Sequence, residues 1–452
     1  LYKIKSFCYN MLNGGDSMRK YDLKNRDLYL NKLKVFQDTE PVKVVTGIRR
    51  CGKSSLLKLM VNYLLESGVH EEQIIEMNFE SYVYRKMNAD DFYHYVSQLI
   101  IPHQKMYLFF DELQRITGWE DVVNSFRVDF NCDIYITGSN AYLLSSQYST
   151  YLSGRYVEIK MLPLSFQEFI DFHGFTIKET INALGNKKRY VYDSKGDRYE
   201  LNELFQAYMR YGGMPGIADV GLEQERVLTL LDGIYSTVIV RDILERETLK
   251  SQRKITDSVL LRKIIMFLAD NIGSNISISK IGNVLMDEGL LEKERKTKPS
   301  HHTVQAYVNA LLEAYFFYEI KRFDIKGKEY LRTLGKFYIV DIGLRNYLLG
   351  YRNRDTGHVL ENIVYFELLK RGYDIAVGKI NQLEIDFIAT KADEKLYVQV
   401  TESMISESVR KRELTPLEKV NDNYEKIILS LDNETMSYNG IKLYNIMDWL
   451  IE

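Results

Sequence analysis

Between Val42 and about Gly216, short apolar runs alternate with stretches in which apolar residues recur every three or four positions. Strands alternating with helices in this way predict a parallel α/β sheet, and runs that are apolar throughout predict strands buried on both faces. The runs are VKVVTG from Val42, QIIEMNF (Gln73 to Phe79), KMYLFFDE (Lys105 to Glu112), DIYITGSN (Asp133 to Asn140) and YVEIKML (Tyr156 to Leu162). An amphipathic lead-in, Asp27 to Phe36, precedes them, and the charged, turn-rich Gly185 to Arg198 predicts a surface insertion or hairpin.

From about Leu222 to Phe323 the period becomes wholly helical. LLRKIIMFLADNIG, SISKIGNVLMDEG and SHHTVQAYVNALLEAYFFYEI read as three successive helices, with Ser277 and Ser300 placed as N-caps. FDIKGKEYLR, Phe323 to Arg332, reads as a hairpin wing with Gly327 at its tip. The pattern then returns to mixed α/β: helix HVLENIVYFELLKRG, strands YDIAVG, LEIDFIAT and LYVQVT, a charged helix through Arg410 to Lys419, strand KIILSL and the ending IKLYNIMDWLIE.

The first strand runs straight into candidate chemistry. Gly47, Gly52, Lys53 and Ser54 satisfy G-x-x-x-x-G-K-[ST], a pattern whose backbone N–H groups surround phosphate oxygens. Residues Gly47, Ile48, Arg49, Arg50, Cys51, Gly52, Lys53, Ser54 and Ser55 are the expected nucleotide-binding set. Glycine permits positive φ and close approach of the backbone, and the helix that follows aims its positive end at the phosphates. Lys53 addresses the terminal phosphates and Ser54 offers the compact oxygen that octahedral Mg²⁺ accepts. Leu56, Leu57, Met60, Leu64 and Leu65 recur at helical spacing behind the loop, which gives the motif its expected strand–loop–helix context. Arg49 and Arg50, inside the loop, read either as phosphate contacts or as solvated charges.

KMYLFFDE ends in two carboxylates at the edge of the sheet where ligands of such folds bind. Asp111 is expected to hold Mg²⁺ through water, and Glu112 to orient and deprotonate the water that attacks the γ-phosphate. Thr137-Gly138-Ser139-Asn140 closes the next strand and stands beside Asp111 if the two strands are sheet neighbours. Asn140 then reads either as the residue positioning the attacking water or as the cap of the following helix. Arg155, in LSGRY, is a candidate for stabilising charge on the transferring phosphoryl group, within one chain or across a subunit boundary.

The order TGIRRCGKSSLL, LFFDELQ, YITGSN, LSGRY, PLSFQEF and YGGMPG resembles a large prokaryotic family of AAA-type P-loop ATPases with a C-terminal domain of unknown function, and the likeness runs from Met18 over nearly the whole chain. It implies ATP rather than GTP, an ATPase core with strand order 5-1-4-3-2, an all-α winged-helix-like domain and a C-terminal α/β restriction-endonuclease-like domain. The implied limits are residues 18–220, 221–340 and 341–452. By the same resemblance Asn140 looks like the sensor residue, Arg155 like a finger or γ-phosphate contact, and Gly212, Gly213 and Pro215 mark the end of the ATPase module.

In the terminal domain Glu361, Asp386 and Gln399 follow the order of a nuclease site in which carboxylates at strand ends bind Mg²⁺ and a lysine activates water. The pattern departs at two places: the second acid is Gln399, and Thr401 stands where the lysine belongs. Lys379 and Lys391 are the lysines considered for that role. The constellation therefore reads as a vestigial site on a fold retained for binding or assembly. The winged-helix region carries EKERKTKPSHH (Glu292 to His302) and KRFDIKGKEYLRTLGK (Lys321 to Lys336), the second with six basic residues against two acidic, which suits sequence-independent phosphate contacts to DNA. The alternative is a solvated turn on a bundle joining two domains, with Tyr315, Phe316, Phe317 and Tyr318 in the core.

Composition narrows the rest. A chain of 452 residues, 45% hydrophobic and 27% charged, has room for two or three cores, and a net charge of −2 confines any nucleic-acid contact to a local patch. No segment has the roughly 20 uninterrupted apolar residues of a membrane span. Cys8, Cys51 and Cys132 have no metal-ligand spacing and no disulfide framework, as expected in a reducing cytoplasm. Residues 1–17 read as an upstream extension, because Gly14-Gly15-Asp16-Ser17 before Met18 is what a ribosome-binding site would encode in frame; Met18 is the expected start. The expectation is a Mg²⁺-dependent, cytoplasmic ATPase, as monomer or homo-oligomer, that couples nucleotide state to its later domains. Its rival is a nucleotide-gated DNA-binding switch or scaffold, and an ATP-dependent nuclease stands behind both.

Overall fold

The computed structural model describes residues 20–138, 154–181, 187–245, 255, 257–287, 299–352, 355–433 and 436–452. They form two compact units, the first comprising 20–46, 53–138 and 154–160, the second 47–52 and the described residues from Met161 onward. Among the described residues no helix is long and apolar enough to cross a membrane.

The first unit is built on five strands: β1 (Val42–Thr46), β2 (Ile74–Asn78), β3 (Met106–Asp111), β4 (Cys132–Gly138) and β5 (Tyr156–Lys160). All pairings are parallel and the order is β2-β3-β4-β1-β5, the 5-1-4-3-2 arrangement that the family resemblance implied. Every residue of β1 and β3 is buried, as strands covered on both faces must be. Lys43, second in β1, is no exception, because its ammonium pairs with Asp133 of β4. Burial nonetheless pulls the Lys43 ammonium below its ordinary value. One face packs on helices α3 (Ala89–Ser97) and α4 (Trp119–Asp129), where Phe92 meets Phe110 and Phe126 edge-on at 4.9 and 5.3 Å. Helix α3 starts where Asn88 accepts the Asp91 N–H at 2.9 Å. The amphipathic lead-in is α1 (Asp27–Val35), and α2 (Lys53–Glu66) follows the loop after β1.

The second unit contains a nine-stranded mixed sheet and a three-stranded antiparallel sheet. The turn-rich insertion forms the small sheet, from Thr176–Ile181, Lys187–Tyr192 and Arg198–Tyr199. Ser277 and Ser300 cap helices Ile278–Asp287 and His301–Glu313, accepting the N–H of Lys280 at 3.2 Å and of Thr303 at 3.0 Å. The third helix stops earlier than its pattern suggests. At Tyr315 (φ 55) the backbone turns left-handed, the Tyr315 N–H reaches Leu312 O and the Phe316 N–H reaches Leu311 O, both at 3.0 Å. These two bonds close a Schellman end on a tyrosine instead of the usual glycine. Phe317 therefore opens a strand, Phe317–Asp324, where helix was expected. With Glu329–Ile339 it makes the hairpin, and Gly327 lies in the connection. The hairpin joins the terminal sheet through parallel pairing of Arg322 with Val377, so the region from 221 to 340 is not helical throughout.

Within this unit the YGGMPG segment is locked to residues 341–346. Asp341 Oδ2 accepts the Gly213 N–H at 2.6 Å, Oδ1 accepts the Leu344 N–H at 3.1 Å, and Asn346 donates to Met209 O and Arg210 O at 2.9 and 2.8 Å. Burial pushes the Asp341 carboxyl up to about 6 against these backbone donors. Glycine is required here. A Cβ on Gly212 (φ +79) would fall 2.3 Å from Asp341 Oδ1, one on Gly213 2.2 Å from Leu164 O, and one on Gly343 1.9 Å from Tyr211 O. This joint gives residues 201–220 their partners in the second unit. Gly212→Ala is expected to cost about 2–4 kcal/mol through clash and positive φ together. Gly221→Ala, at φ +78 with open space around it, is expected to cost about 1 kcal/mol. Thermal unfolding of the two variants tests this, and equal midpoints would contradict it.

Candidate functional site

Four parallel strands end at one edge of the first sheet, with Asn78 opposite Asp111, Thr46 opposite Gly138, and Thr137 one step beyond the Phe110–Ile136 pair. This is the carboxyl edge, where parallel α/β sheets place ligands. Asp111 is the focus. Its Oδ1 accepts Ser54 Oγ at 3.0 Å and the Thr137 hydroxyl, and its Oδ2 accepts Asn78 Nδ2 at 2.8 Å. Asp111 is buried while Ser54, in the first turn of α2, is exposed. A hydroxyl and a carboxylate so close, one of them open to solvent, form a hard-oxygen pair of the kind Mg²⁺ selects. Lys53 starts α2 and is itself 4% exposed.

Glu112 follows with φ 58 and ψ 42, a left-handed conformation that a glutamate adopts at a cost. Its N–H donates to Thr137 Oγ1 at 3.1 Å, and its carboxylate accepts Gln114 Nε2 at 2.6 Å. One threonine hydroxyl therefore ties together the two acidic residues. The backbone turn separates their side chains, leaving Asp111 among Ser54, Asn78 and Thr137 and Glu112 with Gln114. Asn78 and Gln114 were not singled out in the sequence. Asn78 has a signal there, since it closes an apolar run as Asp111 does.

The loop before α2 groups with the second unit. Gly47 (φ +142) and Gly52 (φ +102) take backbone conformations that other residues rarely adopt, and a Cβ on Gly47 would lie 2.1 Å from Met161 O. Ile48 and Cys51 are fully buried, and Cys51 Sγ donates to Met161 O at 3.5 Å. The two loop arginines differ. Arg50, at φ 64, is exposed, whereas Arg49 is buried and pairs with Asp242 at 3.6 Å. Ser55 is half-buried on α2. The Arg155 side chain is exposed, and its carbonyl accepts the Val42 N–H at 2.9 Å, pinning β5 to β1. Asn140 lies outside the described residues.

Glu361, on the helix Thr356–Lys370, comes together with Asp386 and Gln399 of the terminal sheet. Gln399 Oε1 accepts the Asp386 N–H at 2.7 Å, and Asp386 Oδ2 accepts the Val400 N–H at 2.9 Å. Glu361 Oε1 accepts Tyr338 OH at 2.6 Å and Lys336 Nζ at 2.7 Å. Lys336 also lies 2.9 Å from Glu384 and 3.6 Å from Asp386. The lysine of this cluster thus comes from the hairpin, not from Lys379 or Lys391: Lys379 acts on Asp324, and Lys391 donates to Arg371 O at 3.0 Å. Lys336 was counted among the basic residues suited to DNA, but it is 3% exposed. Burial raises the Asp386 carboxyl, while Lys336, His358 and Tyr338 hold Glu361 below its ordinary value despite burial. Gln399 is engaged on its other side by Glu413, at 2.7 Å. Among the described residues no group of three or more His, Cys, Asp or Glu is arranged to hold a metal ion.

Residues 39–170 match an AAA domain, and residues 202–355 match a domain of unknown function (DUF8612). An uncharacterized protein of Haemophilus influenzae is 40% identical over 433 residues, covering 95% of this chain and 98% of its own. An uncharacterized protein of Methanocaldococcus jannaschii is 29% identical over 441 residues, covering 95% and 88%. Among solved structures, Cdc6p from Pyrobaculum aerophilum covers 78% of this chain and 97% of its own at 12% identity and TM-score 0.28. The Aeropyrum pernix ORC1 protein in complex with DNA covers 72% and 92% at 12% identity and TM-score 0.30. These overlays are loose, and the fold rests on the strand order and the matched domain. The chain belongs to the family of the Haemophilus influenzae protein, and within it an AAA-type P-loop NTPase domain precedes a DUF8612 domain.

Proposed function

We propose that this protein binds ATP with Mg²⁺ and hydrolyses it, using the state of the nucleotide to set the state of its later domains. The carrying observation is Asp111, whose carboxylate takes hydrogen bonds from Ser54, Asn78 and Thr137 at the sheet's carboxyl edge. Ser54 and Asp111 would hold the metal, which when bound neutralises charge on the β- and γ-phosphates. Lys53 offsets the same charge from the start of α2. Glu112 is the proposed base, orienting the attacking water and taking its proton, with Gln114 holding the carboxylate until water arrives. Arg155 is exposed, which suits a role across a subunit boundary as well as one within the chain. Asn140 keeps its proposed role as sensor.

For the terminal domain we propose a restriction-endonuclease-like fold retained without nuclease activity. Lys336 supports this reading, since its ammonium lies where a divalent ion would have to bind Glu361 and Asp386, and a cation there would have to displace it. A second reading, a winged-helix region that grips DNA in a nucleotide-dependent way, is favoured by exposed Lys321, Lys326 and Lys328 around the hairpin connection.

Lys53→Ala is expected to abolish ATP binding, and Glu112→Gln to keep binding while phosphate release falls at least about a hundredfold. Fluorescent-nucleotide titration and a phosphate-release assay check both, and normal turnover in Glu112→Gln would remove Glu112 from the chemistry. Lys336→Met leaves three acidic side chains without their shared cation and is expected to destabilise the second unit by about 3–5 kcal/mol. Chemical unfolding measures this, and a variant as stable as the wild type would show that the lysine is dispensable.

A further inference from the structure

The phosphate loop carries one arginine whose position the chemistry of hydrolysis does not use. Arg49 lies between the two glycines of the loop, yet its guanidinium faces Asp242, with Nη1 3.6 Å from Oδ1. Both side chains are withdrawn from water, at 11% and 9% exposure. Asp242 sits in a π-helix, Val238–Glu245, directly after the helix Gln224–Thr237. A π-helix is rare, occurs mostly as a short departure from α-helix and is frequent at functional sites, so this segment has a nearby alternative in ordinary helix. Val238, Ile239 and Ile243 anchor it in the core. The loop's other fixed points, Gly47 and Cys51 against Met161 O, belong to the same unit.

A polyphosphate in this loop and the Asp242 carboxylate seek the same guanidinium. At 3.6 Å the Nη1–Oδ1 pairing is long, whereas phosphate oxygens offer arginine bidentate, charge-assisted bonds and several negative charges. A buried carboxylate beside bound phosphate is also repelled by it. We propose that Arg49 and Asp242 form a nucleotide-sensing latch: phosphate in the loop draws Arg49 off Asp242 and frees the segment 238–245 to rearrange. Asp242 is then a positioning residue that acts on nucleotide only through Arg49. This rests on the nucleotide-binding function proposed above and names how that site reports its occupancy to the chain beyond it.

The test is hydrogen–deuterium exchange on the full-length protein with and without a non-hydrolysable ATP analogue and Mg²⁺, alongside direct titration of the analogue. In the wild type, nucleotide is expected to speed exchange over 238–245 at least about fivefold. Asp242→Asn is expected to exchange fast there without nucleotide and to bind the analogue about tenfold more tightly, because it no longer holds Arg49 back. Arg49→Gln is expected to lose the response of this segment to nucleotide, and Asp242→Glu to keep it. If the wild type binds the analogue but exchange over 238–245 is unchanged or slowed, the latch is wrong and the nucleotide site stands. If the wild type binds no analogue, both fall. The wild-type comparison decides the matter even if a variant fails to fold.

Discussion

One carboxylate organises the candidate site. Asp111 ends a fully buried strand, so its charge sits at the boundary between an apolar sheet and water, where an unpaired carboxylate is costly. Three donors from three different elements meet that cost: Ser54 from the helix after the loop, Asn78 from β2 and Thr137 from β4. The parallel order of the sheet is what brings these strand ends level. The same threonine fixes the left-handed turn that separates Glu112 from Asp111. The acids proposed to hold metal and to act on water, adjacent in sequence, therefore have different surroundings, the condition under which two carboxylates can take two roles.

The second unit handles buried polarity differently. Asp341 is enclosed among backbone N–H groups at a joint where Gly212, Gly213 and Gly343 let chains approach within distances no Cβ allows. Lys336 is enclosed among Glu361, Glu384 and Asp386, with Gln399 and Glu413 continuing the network. Such clusters cost much to break and little to keep once every member is bonded. The Lys336 cluster and the Arg322–Val377 pairing fasten the hairpin Phe317–Ile339 to the terminal sheet.

What could be read from the sequence follows from the range of the interactions involved. The strand–loop–helix around Lys53 and the strand ending in Asp111 announce themselves because the determinants are contiguous: apolar runs, glycines at fixed spacing, and acids at a strand end. Thr137 was within reach once β3 and β4 were taken as neighbours. Lys336 was not, because nothing local distinguishes it from the solvated lysines around it; only the long-range pairing of the hairpin with the terminal sheet carries it to Glu361. Asp242 was hidden for the same reason. The helix ending at Glu313 has no legible stop because it closes on a left-handed tyrosine with two local backbone bonds, where glycine is the usual signal.

Asp111 is proposed to serve bound nucleotide through Mg²⁺, and not merely as a structural acceptor. Calorimetric titration of ATP into the wild type and Asp111→Asn, each with Mg²⁺ and with EDTA, tests it most directly. Asparagine preserves shape and an acceptor for Ser54 or Thr137 while removing the charge. Mg²⁺ should tighten wild-type binding by roughly tenfold or more and leave Asp111→Asn binding nearly unchanged, with the metal-free affinities of the two alike or better in the variant. An Asp111→Asn protein whose ATP affinity still rises with Mg²⁺ as steeply as the wild type's would contradict the account.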